Sequence, residues 1–219
     1  MPNLPELPSE VSHDDPVPMP LPQVSAAELT PSARIGAFLF KNRGWLPILF
    51  IGVPLIARGD TAGARWAIGA VLIVAGELIR LAGVAAAGTT TRRRSRNVER
   101  LVTYGIFAWS RNPLYNGNFL VWIGFCVISG VLWFLPFAVL IFAAEYSLIV
   151  RYEEGVLEST FGRQYLEYRN CVPRWLPRKP DDDWSGPHDW KGALRSEIST
   201  FIQYAVLIVA FLIKGYFTR

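Results

Sequence analysis

The sequence is short of the residues that hold metals and cross-links: it has two cysteines and two histidines in 219 residues. Cys126 lies in an apolar run and Cys171 in a polar segment. The two are badly placed to bridge and neither has zinc-type spacing, so both read as free thiols. His13 and His188 fall outside the segments singled out below, and no metal is expected. Also missing are a glycine-rich strand-to-helix turn of the G-x-G-x-x-G kind and a G-x-x-x-x-G-K loop. Their absence excludes the common soluble dinucleotide and phosphate-loop sites.

Charge is scarce too, but unevenly so: several long stretches hold almost none and the segments between them hold most of it. That distribution predicts an all-α, polytopic membrane helix bundle of about five spans. Lys and Arg number 22 against 18 Asp and Glu. The basic residues flank apolar runs, so the expected partner is a lipid bilayer and not a nucleic acid.

Residues 1–33 are expected to form a disordered tail. Met1 to Pro31 hold eight of the sixteen prolines and no apolar period, too little buried surface to offset chain entropy. They also lack the basic start and apolar centre of a secretory signal. Residues 34–219 are expected to form one membrane domain. Ile35 to Ala57 reads as an interfacial turn and a short, kinked first span, and Trp66 to Gly88 as a second of about 35 Å. Leu114 to Gly130 and Val131 to Val150 make a helical hairpin, and an additional span runs from 198 to 217. Between hairpin and last span, Tyr152 to Tyr168 places Leu157, Phe161, Gln164, Tyr165 and Tyr168 at helical spacing, which predicts an amphipathic helix lying on the membrane face.

Arg92, Arg93, Arg94, Arg96 and Arg100 share one side of this arrangement with Arg151, Arg163, Arg169, Arg174, Arg178 and Lys179. The opposite connections carry only Arg58 and Arg65. The richly basic side is therefore expected to be cytoplasmic.

Two segments on that side combine polar and aromatic residues: Glu99 to Tyr115 enters the hairpin and Tyr152 to Pro177 leaves it. Sharing one hairpin, they must meet. On local physics Arg111-Asn112-Pro113 is also a simple helix start with a snorkelling arginine, and Glu153 and Glu154 also suit a helix dipole. Glu77 and Arg80, one turn apart inside a span, are expected to pair toward the interior, with Glu145 as a possible third partner.

RLVTYGIFAWSRNPLY, a hairpin, then EEGVLESTFGRQYLEYRNCVPRWLP resembles the isoprenylcysteine carboxyl methyltransferase family and its phospholipid N-methyltransferase relatives. The resemblance covers residues 99–177. It implies S-adenosylmethionine as cofactor and methyl transfer to a lipid-like or small apolar acceptor at the cytoplasmic face of the inner membrane. By the same resemblance Arg111, Asn112 and Glu153 carry catalysis, while Glu99, Arg100, Leu101, Val102, Phe107, Asn112, Pro113, Leu114, Tyr115 and Glu153 line the cofactor. Arg92 matches a further lining position. Arg151, Glu145 and Tyr146 are the substrate-facing candidates.

This chain departs from the family pattern in three places. Asn112 stands where histidine is commoner, Phe107 where tyrosine is common, and Ile149 at the ungapped counterpart of an arginine that binds the substrate carboxylate. Those differences keep two alternatives in view: an NADPH-dependent membrane reductase of the sterol-reductase type, and a non-catalytic protein of the same fold.

Overall fold

A computed structural model describes residues 31–42, 46–59, 63–88, 100–180 and 185–217. It is helical throughout, with no strand among the described residues. Seven helices follow in order: α1 (Pro31–Asn42), α2 (Leu46–Ile56), α3 (Gly63–Ala87), α4 (Pro113–Ser129), α5 (Leu135–Phe161), α6 (Arg163–Cys171) and α7 (Trp190–Phe217). Single 3-10 turns precede α4 at Gly105–Ala108 and α5 at Leu132–Phe134. The tail up to residue 30, and with it the expectation of disorder there, lies outside the described residues. Helix α1 begins at Pro31, three residues before the expected boundary at 34.

Three stretches are long and apolar enough to cross a membrane, Gly63–Ala87, Leu132–Phe161 and Trp190–Phe217, with α4 as a shorter apolar helix beside them. The chain is an integral membrane protein of the expected class. The stretch expected as an interfacial turn and a short, kinked first span holds two short helices, α1 and α2, and α2 contains Pro54.

Helix α4 starts where the sequence places it, with Pro113 in its first turn, where a missing N–H costs nothing. It ends at Gly130, whose φ of 71° closes the helix in the left-handed region. One expectation fails. Tyr152 to Tyr168 does not form a helix of its own, because α5 runs unbroken from the span to Phe161. The break comes at Gly162, whose φ of 51° no ordinary side chain adopts cheaply, and α6 starts after it. The apolar period carries through the membrane boundary without a capping residue, so nothing in the chain stops α5 earlier.

Helices α3 and α4 approach each other more closely than any bulky residue would permit. Gly69, Gly76 and Gly83 recur every seven residues along α3, and Gly117 and Gly124 do so along α4. A Cβ on Gly76 would lie 2.6 Å from the Gly117 carbonyl oxygen, and one on Gly124 would lie 2.8 Å from that of Gly69. In a membrane, where apolar association gains nothing from water, such close backbone packing is a main source of helix adhesion.

The last span, α7, is fastened at both ends by buried charges. At one end Glu197, wholly buried, accepts from Arg80 Nη2 at 2.9 Å. Arg80 also donates to Glu77 at 3.1 Å through Nε and to Asn118 through Nη1, and Tyr204 donates to Glu77 at 3.0 Å. The expected Glu77–Arg80 pair is present, but its further partners are Glu197, Asn118 and Tyr204. Glu145 is not among them, because it lies on α5, across α4 from α3. At the other end Lys214 donates to the carbonyls of Pro54 and Ser129, at 2.5 and 3.1 Å.

A Gly76→Val change should lower thermal stability in detergent, by roughly 1–3 kcal/mol from overpacking. Gly52→Ala, which meets nothing within 4 Å, should leave the melting temperature unchanged.

Candidate functional site

The two segments that flank the hairpin do meet. Residues 172–178 run with bends along the entrance of α4, starting from Val172 in extended conformation with φ −111° and ψ 128°. Backbone bonds fix the register: Arg111 N–H donates to Pro173 O at 2.9 Å, and Arg178 N–H to Trp109 O at 3.0 Å. Side chains fill the interval. Asn112 Nδ2 donates to Arg174 O at 3.0 Å, Asn116 Nδ2 to Trp175 O at 2.8 Å, and Ser110 Oγ contacts both carbonyls at 3.2–3.3 Å. Ser110 and Asn116 bracket the Arg-Asn-Pro triplet. Sequence reasoning passed over them, although short polar side chains beside a helix start were a readable signal.

Ion pairing closes the site from the α5 side. The buried Glu154 carboxylate receives Arg111 Nη2 at 3.0 Å and, in a fork, Arg174 Nε at 3.0 Å and Nη2 at 2.6 Å. Arg111 Nη1 donates to the Arg169 carbonyl at 2.8 Å, and Arg169 pairs with Glu158 at 2.9 Å. Glu154 is thus the residue that holds Arg111, whereas the sequence favoured its neighbour Glu153 for function. Glu153 is half-buried, and it falls with Glu145 and Ile149 on one row of α5, at four-residue spacing. The two adjacent acids therefore serve different faces of the helix.

Two tyrosines of α6 form the roof. Tyr168 donates to Phe107 O at 2.8 Å, which ties the turn before α4 to the helix after Gly162. Tyr165 is 1% exposed, and its hydroxyl has no hydrogen-bond partner. Burial is the main cause that pushes its acidity constant up to about 12, with Glu154 adding to the shift while Arg111, Arg169 and Arg174 oppose it. Burial likewise raises that of Tyr168, against the pull of Arg111.

The remaining candidates spread over this end of the bundle. Glu99 and Arg92 lie outside the described residues. Arg100 is exposed and donates to Tyr104 at 2.9 Å, while Leu101 packs under Tyr165, Tyr168 and Val172. Val102, Phe107 and Leu114 are half-buried, and Pro113 is buried. Tyr115 packs on Tyr146 with centroids 4.8 Å apart, and Phe142 stacks on Tyr146 at 4.0 Å, so an aromatic floor lies beneath the polar roof. Glu145 is buried with one carboxylate oxygen lacking a partner. Arg151 is on the exposed face of α5.

His188 corrects an expectation. It was placed outside the candidate segments, yet its ring stacks on Trp190 and meets Tyr104 edge-on, and its Nε2 crowds Gly105. The entrance to α7 folds back because the α3 carbonyls at Ala85 and Ala86 need donors. Asp189 N–H supplies one at 2.8 Å and Tyr104 Oη another at 2.8 Å. No group of three or more His, Cys, Asp or Glu side chains able to hold a metal occurs among the described residues.

Residues 64–164 match the family model described as phospholipid methyltransferase. The chain is 35% identical over 117 residues to protein-S-isoprenylcysteine O-methyltransferase B of Arabidopsis thaliana, a match covering 50% of this chain and 57% of that protein. Against the Homo sapiens protein-S-isoprenylcysteine O-methyltransferase it is 31% identical over 121 residues, 50% of this chain and 40% of that one. The chain therefore matches less than two thirds of the length of either relative. No solved structure matches it. The matched family segment contains α3 to α5 and ends short of α7.

The raised acidity constants of Tyr165 and Tyr168 carry a sign. Unfolded tyrosines ionise near pH 10 while the folded pair keeps its protons, so stability is full below about pH 10 and is lost as pH rises toward the folded values. Melting temperature should fall across that window, and less steeply in a Tyr165→Phe/Tyr168→Phe variant.

Proposed function

Starting from a chain whose residues 64–164 match a methyltransferase family model, we propose that it transfers a methyl group from S-adenosylmethionine to a lipid-like or small apolar acceptor. The reaction is placed at the cytoplasmic membrane surface. The observation that carries the reading is the joining of residues 105–116 to residues 154–178 through Arg111, Glu154 and Arg174. Those segments, with the adjoining residues Arg100, Leu101, Val102 and Glu153, hold every described position that the family resemblance assigns to the methyl donor.

The residues suit such a donor. Guanidiniums and a half-buried carboxylate face an aromatic floor, which matches a molecule with an amino-acid end, a nucleoside and a sulfonium. When bound, S-adenosylmethionine supplies an activated methyl on positively charged sulfur. The protein's part is mainly orientation: Arg111 and Glu153 fix the polar ends, and Tyr115, Tyr146 and Phe142 exclude water. The sulfonium loses its charge as the methyl leaves, so a water-poor surrounding favours transfer.

Asn112 donates its side-chain N–H to a backbone carbonyl and titrates nowhere near neutral pH. A residue that cannot take a proton suits an acceptor already nucleophilic on arrival, such as a carboxylate or thiolate.

Calorimetry on the protein in lipid nanodiscs tests the reading: S-adenosylmethionine should give binding heat and NADPH none. Glu153→Gln should weaken donor binding at least tenfold with the melting temperature unchanged. Heat from NADPH alone would replace the methyltransferase reading with the reductase one, and unchanged affinity in the variant would remove Glu153 from the site.

A further inference from the structure

The roof holds two hydrogen-bond donors with nothing to donate to. Arg111 Nε–H and the Tyr165 hydroxyl are both buried and both lack a partner, although Arg111's other nitrogens are fully engaged. The Arg111 side chain is 9% exposed and Tyr165 is 1% exposed. Leaving one such donor unsatisfied is costly, and two side by side in a single ion-pair cluster call for a common acceptor. They belong to the same cluster, since Arg111 Nη1 donates to the carbonyl of Arg169, which lies one turn along α6 from Tyr165.

The charge of the cluster fixes what that acceptor is. Arg111, Arg169 and Arg174 bring three positive charges, and their paired carboxylates, Glu154 and Glu158, bring two negative ones. Arg111 and Arg174 share the single Glu154 carboxylate, so one positive charge of the cluster remains without its own counter-ion. A neutral carbonyl would satisfy the donors but would leave that charge unmatched.

We propose that Arg111 Nε and Tyr165 Oη form an oxyanion subsite that takes one anionic oxygen of a bound ligand, as a carboxylate or a phosphate. Burial raises the hydroxyl's pKa and so keeps it protonated at physiological pH, and it donates. Glu154 and Glu158 line the far side of the guanidiniums and hold them in place.

Two sources could bring such an oxygen: the amino-acid carboxylate of the methyl donor, or the phosphate of an acceptor lipid. The first lies closer to the observations, because Arg111 directly precedes the α4 entrance residues that the family resemblance assigns to the methyl donor. This part of the inference rests on the function proposed above, whereas the oxyanion subsite itself does not.

Tyr165→Phe removes one hydroxyl and keeps the ring in the core, so it is the suitable variant. Binding to nanodisc-embedded protein should be measured with S-adenosylmethionine, with its decarboxylated analogue, and with radiolabelled phosphatidic acid. A loss of about tenfold for S-adenosylmethionine, with the decarboxylated analogue unaffected, assigns the subsite to the donor's carboxylate. A similar loss confined to phosphatidic acid assigns it to a lipid phosphate. Equal affinities of wild type and variant for all three would overturn the subsite, even where wild type binds S-adenosylmethionine tightly. Should wild type bind neither sulfonium compound, the methyltransferase reading fails, and the phosphatidic acid arm still decides the subsite.

Discussion

The end of the bundle that carries the candidate site is organised around one buried carboxylate. Glu154 lies between two guanidiniums, one from the entrance of α4 and one from the segment beyond α6, and so joins those regions. A carboxylate in that position would be costly alone and is stable because both partners arrive with good geometry. Its placement requires α5 to continue past the membrane boundary, since a helix stopped at Val150 would not carry position 154. The unbroken α5, the turn at Gly162 and the return of residues 172–178 onto α4 are parts of the same arrangement.

The rest of the bundle gives that arrangement a rigid base. Glycines at seven-residue intervals bring α3 and α4 into backbone contact, and Arg80 reaches from α3 to both α4 and α7. Helix α7 lies outside the matched family segment, yet it is bound in at both ends: Glu197 completes the Arg80 cluster and Lys214 satisfies two carbonyls at the opposite end. Its entrance also covers the Tyr104–Gly105 turn through His188. The last span is thus a structural wall of the domain that shares the α3 terminus with the loop leading to the site.

Much of this could be read in the chain, and what could not has physical reasons. The spans were visible because charge is excluded from hydrocarbon, and the α4 start because Pro113 follows a polar pair. The meeting of the two segments followed from their sharing a hairpin. Helical spacing did not separate Glu153 from Glu154 and only the resemblance favoured Glu153, because a difference of 100° around a helix only acquires meaning once the neighbours of that helix are known. It also could not pair Arg80 with Glu197, which lies 117 residues away. The glycine repeat was legible and was overlooked, since attention to apolar residues passes over those that matter for being small. His188 lies outside both segments in the sequence, and its approach to Tyr104 arises only from the way the entrance of α7 folds back.

Ultraviolet cross-linking of methyl-tritiated S-adenosylmethionine to the membrane-embedded protein, followed by peptide mapping, probes the joined segments most directly. The label should fall on peptides within residues 105–116 and 154–178 and should be displaced by excess unlabelled compound. Displaceable label confined to α7, or to the opposite end of the bundle near Gly130, would contradict the placement of the donor between those two segments.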